Sequence, residues 1–177
     1  MLLEVIQAFD LYTHDHCQRV ARYAALLAQA LSCSPDTVAT IYFGGLFHDL
    51  GKVGTPESIL HKPDVLTSNE YAVVKEHPVK GAHILMEVPE FREIVPIVLH
   101  HHEMFGGGGY PEGLIGNDIP LGARIVAVAD AYDAITTDRV YRKAADGKKA
   151  IDVIKSHTPQ QFDPEIVAAF VRVEKNL

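Results

Sequence analysis

Ten histidines in 177 residues are a generous supply of imidazole, and helical spacing sorts them. His16 shares a stripe with Val20, Tyr23, Leu27 and Leu31 at three- and four-residue steps, so it faces inward. Val38, Ile41, Tyr42 and Gly45 run on to the adjacent pair His48 and Asp49. Phe91, Ile94, Val95 and Val98 run on to His101 and His102, which leaves His100 aimed elsewhere; Pro96 is a place where this register can kink. His77 stands before Pro78 at an expected break between two helices, where the bend can aim its side chain. Asp130 lies in LGARIVAVADAYDA, a run apolar almost all round, where a solvated charge has no place. His14, His61, His83 and His157 lie on no inward stripe and read as surface residues.

The inward set is therefore His16, His48, Asp49, His77, His101, His102 and Asp130. Core packing accounts for any one buried histidine taken alone, but poorly for five imidazoles and two carboxylates together. A nucleophilic triad needs fewer groups. Neutral imidazole with carboxylate suits first-row divalent metals, and seven ligands exceed what one ion normally takes. Two ions about 3.5–4 Å apart, sharing a carboxylate, fit that number. Iron or manganese is expected first, with zinc, nickel or magnesium as alternatives. Such a pair of ions serves the attack of water on a phosphate ester.

The elements that must hold these groups read as all-α, because helical periodicity dominates and alternating runs are few. A first helix is expected over about Thr13 to Leu31. Ser34-Pro35 starts a second, which should end near Gly51, and a further helix should begin near Glu90. Thr55-Pro56, Thr67 with Glu70, and Asp163-Pro164 repeat the same start chemistry. One long irregular stretch, about Glu103 to Pro120, carries Gly106 to Gly109, Pro111, Gly113 and Gly116; loops of that length usually serve function or stay disordered. No repeat or domain boundary shows, so residues 1–177 are read as one domain.

A net charge of −7 gives no basic footprint for duplex nucleic acid. A small phosphate diester stays plausible, since two divalent cations would turn the local field positive. The two cysteines, Cys17 and Cys33, are too few for a disulfide framework. Cys17, beside a candidate ligand but without a CxxC partner, reads as a packing residue. With a mean hydropathy of +0.05 and no signal or long apolar span, a cytoplasmic location away from membranes is expected.

Seven ordered stretches carry a family resemblance: HDLGK from His48, SILHKP from Ser58, HP at His77, HHE from His101, GYPEGL from Gly109, ADAYDAITTDRVYR from Ala129 and FDP from Phe162. Over about residues 10–170 the sequence resembles HD-GYP domains, a branch of the HD phosphohydrolases. The resemblance implies a five-helix HD core with added helices, and hydrolysis of cyclic di-GMP to linear pGpG or GMP. It implies His16, His48, Asp49 and Asp130 as the basic ligand set, with His77, His101 and His102 added for a second metal. Some members hold a third metal with a glutamate four residues before the first ligand histidine; Tyr12 stands there.

By the same resemblance Lys52 meets phosphate or the leaving oxygen beside Asp49, Arg139 and Arg142 meet the second phosphate, and Tyr110 sits on a loop that closes over nucleotide or meets a diguanylate-cyclase-type protein. Asp133 is expected to support a ligand histidine rather than to bind metal. Two departures stand out: glycine at 106 replaces the usual acid of DGxGYP, and Val140 replaces proline in RPYR. Two other readings remain: an HD phosphohydrolase for a different nucleotide, and a signalling module that binds a partner without turnover.

Overall fold

The protein is seen in a computed structural model that describes residues 11–138 and 143–174. Its helices are α1 (Leu11–Ala30), α2 (Pro35–Phe47), α3 (Glu57–Leu60), α4 (Ser68–Val74), α5 (His77–Met86), α6 (Val95–His100), α7 (Leu121–Thr136), α8 (Gly147–Ser156) and α9 (Pro164–Val173). No strand occurs among the described residues, and the expected all-α HD bundle is borne out. No helix among them is long and apolar enough to cross a membrane.

Five helices carry the candidate ligands, and their packing follows from side-chain size. Helix α1 buries Val20, Ala21, Ala24, Leu27 and Ala28, a face small enough to let α2 come close. A Cβ on Gly45 of α2 would stand 3.0 Å from the Ala21 Cα. Helix α7 runs through the middle and buries Ile125, Val126, Val128 and Ala129 completely. Its neighbours α1, α2, α6, α8 and α9 surround it, which is why its sequence is apolar on nearly every side. Ile97 of α6 fills the space that Cβ atoms on Gly44 and Gly122 would take, and so wedges α6 between α2 and α7.

Three start signals act as read. Ser34 accepts from the Thr37 amide, Thr67 and Glu70 form a reciprocal capping box, and Asp163 accepts from the Glu165 amide. Asp163 also accepts from Arg124 Nη1 of α7 at 2.6 Å, so the FDP stretch ties α9 to the central helix.

Three expectations need correction. The second helix ends as α-helix at Phe47, and the chain tightens into a 3-10 turn over Leu50–Gly54. The turn must be tight because Gly51 lies against the start of α5: a Cβ there would fall 1.9 Å from the His77 carbonyl oxygen. The Thr55-Pro56 pair opens only one helical turn, α3. The helix expected from Glu90 is a 3-10 segment, Pro89–Ile94, followed by α6; Pro96 falls in the first turn of α6, where its missing amide hydrogen costs nothing, and starts the helix instead of kinking it.

Candidate functional site

Four imidazoles are aimed through Nδ1. His48, at the end of α2, donates to the Gly45 carbonyl; His77, at the start of α5, donates to Val74; His101, just past α6, donates to Val98, each at 2.7 Å. A carbonyl only accepts, so the proton of each ring is on Nδ1 and the lone pair on Nε2. His16 Nδ1 meets Asp133 Oδ2 at 2.7 Å instead. Asp133 is in turn gripped by Arg19, Nε to Oδ1 at 2.6 Å and Nη2 to Oδ2 at 3.1 Å.

These nitrogens converge on Asp49. Its Oδ2 lies 3.4 Å from His48 Nε2 and 3.8 Å from His16 Nε2, while its Oδ1 lies 3.3 Å from His77 Nε2. Asp130 of α7 closes the first group, with Oδ1 3.2 Å from His16 Nε2. The candidate ligand atoms of His16, His48 and Asp49 fall within 4.8 Å of one another, and so do those of His77, His101 and His102. Asp49 therefore offers one carboxylate oxygen to each side.

The atoms present fit metal ions. His48 Nε2 is buried with no hydrogen-bond partner although a carboxylate lies beside it. His77 and His101 face each other Nε2 to Nε2 at 3.2 Å. Since both rings carry their proton on Nδ1, this is a meeting of two lone pairs, repulsive without a cation between them. Burial holds the His77 pKa below its ordinary value despite the Asp49 charge, and takes His101 well below, helped by the neighbouring imidazoles. Burial takes His102 down to about 4. All three are neutral at pH 7, the form a metal binds. His16 is the exception: burial would lower it, but hydrogen bonds to Asp130 and Asp133 and the Asp130 and Asp49 charges outweigh this and push it up to about 9.

Lys52, in the 3-10 turn, donates from Nζ to Asp49 Oδ2 at 2.5 Å. Its side chain is a quarter exposed, so it borders the site rather than lying beneath it. Burial opposes its charge, yet Asp49 and Asp130 raise its pKa, and Nζ stays an ammonium. Tyr110 stacks on His102, with ring centroids 4.9 Å apart and planes 27° apart, and burial raises its phenol pKa.

The loop that carries Tyr110 is pinned rather than loose. Its amide donates to the His102 carbonyl at 3.3 Å, and Glu103 Oε1 accepts from the Glu112 and Gly113 amides at 2.8 and 3.0 Å. Gly107 and Gly108 take φ of 92° and 86°, where glycine is at no disadvantage. The glycine at 106 has a local reason: a Cβ there would meet Gln160 Oε1 at 2.8 Å and the Gln160 carbonyl oxygen at 3.0 Å. Gln160 fills that space and donates from Nε2 to the Gly107 carbonyl at 3.2 Å.

The structure thus brings together His16, His48, Asp49, His77, His101, His102, Asp130, Lys52 and Tyr110, with Asp133 behind His16. Arg139, Val140 and Arg142 lie outside the described residues. His61, His83 and His157 are exposed, and His14 pairs with Asp15 and Gln18 on the outside of α1. His100 does point away from the cluster, but it is buried, 8% exposed, and 3.8 Å from Glu103. Sequence reasoning passed over Arg19, Glu103 and Gln160. Arg19 had a signal, one turn beyond His16; Glu103 and Gln160 act through loop contacts that have no periodicity.

The chain matches the HD domain profile over residues 6–166. It is 37% identical, over 95% of its length, to a cyclic di-GMP phosphodiesterase of Thermotoga maritima, and 34% identical, over 94%, to 3'3'-cGAMP-specific phosphodiesterase 3 of Vibrio cholerae. It spans only 46% and 36% of those relatives. The HDG"Y"P protein Bd1817 of Bdellovibrio bacteriovorus shares the fold, with a TM-score of 0.75 at 23% identity over 92% of this chain and 52% of that one. The resemblance carried by seven ordered stretches is borne out. A profile match across nine-tenths of the chain, with His48 and Asp49 side by side where the bundle gathers its other ligands, makes this chain a member of the HD domain family.

Proposed function

We propose that the protein is a phosphodiesterase that hydrolyses cyclic di-GMP to linear pGpG or GMP at two divalent metal ions, iron or manganese, with residues 1–177 acting as one domain. The observation that carries this reading is Asp49, one carboxylate set between two imidazole groups and hydrogen-bonded to Lys52. The names of relatives across nearly the whole chain support the substrate class.

His16, His48, Asp49 and Asp130 would hold one ion and His77, His101 and His102 another, with Asp49 within reach of both groups. Bound ions polarise the phosphate oxygens and make water a nucleophile near neutral pH. The chain's own groups do the rest. Lys52 Nζ, kept protonated by Asp49, donates to a phosphate oxygen or to the departing sugar oxygen, where negative charge grows. Asp133, through His16 Nδ1, keeps the His16 lone pair aimed inward. Tyr110, kept a neutral phenol, covers His102 and borders the nucleotide on the loop side. Arg139 and Arg142 receive the second phosphate, for which the planar guanidinium fork is suited.

The test is metal content per chain on anaerobically purified protein, then turnover of cyclic di-GMP by the same sample. Two ions with turnover, lost in His48→Ala, are expected; one ion or none without turnover would overturn the reading. The Vibrio relative's name favours a second candidate substrate, the mixed cyclic dinucleotide, and profiling both compounds separates them. A diguanylate-cyclase-type partner is not supported by these relatives.

A further inference from the structure

Four of the five candidate ligand imidazoles are aimed by a hydrogen bond at Nδ1; the His102 ring has none among the described residues. Its aromatic neighbours there are His101, His77 and Tyr110, with ring centroids 4.1, 5.0 and 4.9 Å away. The two histidines belong to the same ligand group, so Tyr110, stacked at 27°, is the neighbour that comes from outside it. The chain is shaped to bring it there. A Cβ on Gly109 would fall 2.5 Å from the Glu103 Cα, and the Tyr110 amide donates to the His102 carbonyl at 3.3 Å. The Tyr110 ring in turn meets a cation. Lys52, Arg19 and Lys80 are paired with Asp49, Asp133 and Glu76. Lys75, at the C-cap of α4, instead sets its Nζ 4.7 Å from the Tyr110 centroid and 5.7 Å from that of Tyr71.

We propose that Lys75 is a positioning residue for His102 and acts through Tyr110. The inference rests on the metal-centre reading of the site and deepens it by naming what aims the one ligand imidazole without a hydrogen bond among the described residues. The last torsion of a histidine is broad, so an imidazole with no hydrogen bond can turn its nitrogens away from a metal. A stacked ring removes that freedom, because turning would drive the edge of the imidazole into the tyrosine face. Tyrosine has the same soft torsion and needs its own restraint. An ammonium over the ring supplies it: the attraction is to the electron-rich face and is lost when the ring turns. Tyr71 lies one turn before Lys75 on the same face of α4, and its ring keeps the ammonium in place. The end of α4 thereby sets the plane of a ring in the second imidazole group without touching a metal ligand's nitrogen.

Imidazole NMR on metal-free protein reads the stack directly, since the Tyr110 ring shifts the His102 ring protons. Lys75→Met should move those signals and leave the His48 signals in place, while Lys75→Arg, whose guanidinium also sits on aromatic faces, should keep them at their wild-type positions. The second readout is Mn2+ binding in competition with a chelator. Lys75→Met should lose about two- to fivefold in affinity for one ion per chain. Lys75→Arg should lose nothing, and Tyr110→Ala about 10- to 100-fold. Lys75 is only part-buried, and thermal melting confirms that each variant is folded. His102 signals that stay put in Lys75→Met, two ions bound by that variant with full affinity, or a Lys75→Arg variant that behaves like Lys75→Met would each overturn the proposal. Signals that move in a protein that takes up no Mn2+ support the role of Lys75 and sink the metal centre; two Mn2+ bound by a wild type whose His102 signals do not depend on Lys75 do the reverse.

Discussion

Asp133 accepts from His16 Nδ1 at 2.7 Å, and Arg19 closes on the same carboxylate from the outer side of α1. Two residues one turn apart on α1 are thereby locked to α7, and the His16 ring cannot turn its Nε2 away from Asp49 and Asp130. Asp133 itself is 1% exposed and stands behind the ligand, not among the ligands.

Replacing it by asparagine should therefore weaken metal binding without dispersing the cluster. Asp133→Asn is expected to lose about 10- to 100-fold in metal affinity. Chelator competition on the purified variant reads this directly. A variant that kept wild-type affinity would show that His16 needs no anchor.

His16 also predicts a pH dependence for the metal-free protein. Its folded pKa of about 9 lies above the ordinary 6.5. The stabilisation it contributes is full below 6.5 and is lost as pH rises through about 9. Melting of metal-free protein should fall over that window, less so in His16→Gln. Metal must displace the same proton, so loading near pH 7.5 should release about one proton from this residue per chain and none from it above about pH 10. Calorimetry in buffers of different ionisation enthalpy counts it; no proton uptake by the buffer near neutral pH would contradict the His16 assignment.

Gly51 makes a different prediction, about distance. A methyl group there would lie 1.9 Å from the His77 carbonyl oxygen and 2.6 Å from the Gly81 amide nitrogen, both backbone atoms that cannot swing aside. Gly51→Ala should cost about 2–4 kcal/mol in urea unfolding. Because the forced shift separates Asp49 from His77, metal content should fall in the protein that remains folded.

Gly106→Asp tests the glycine loop. The new side chain would enter space held by Gln160, with two oxygens against its Cβ, and should destabilise the chain by about 1–3 kcal/mol. Gln160→Ala should relieve the part due to the side-chain oxygen, but not the part due to the carbonyl. A double-mutant cycle that shows no coupling would mean the loop moves as a unit away from the 160–161 segment.

Much of the site was legible before any coordinates, because burial writes a period into the sequence. His16, His48, Asp49, His101 and His102 each continue a stripe of apolar residues, and Asp130 and Asp133 stand out in a helix that has no polar face. Cap chemistry is equally local, and Ser34, Thr67 and Asp163 start helices where they were read. The helix ends were less legible. Phe47 and Pro89–Ile94 mark places where packing, of Gly51 on α5 and of Pro96 into a first turn, overrides the pattern.

The residues alone determined an all-helical chain, the inward imidazoles and carboxylates, and the family stretches that join them. Only the tertiary structure decided that Asp49 turns one oxygen to each imidazole group, that Arg19 braces Asp133 across two helices, and that Gln160 occupies the space beside Gly106. The physical reason is range. Periodicity and capping are set within one or two turns of chain, whereas Asp49 with His77, Arg19 with Asp133, and Gly106 with Gln160 each join segments more than twenty-five residues apart, through contacts that leave no repeat in the sequence.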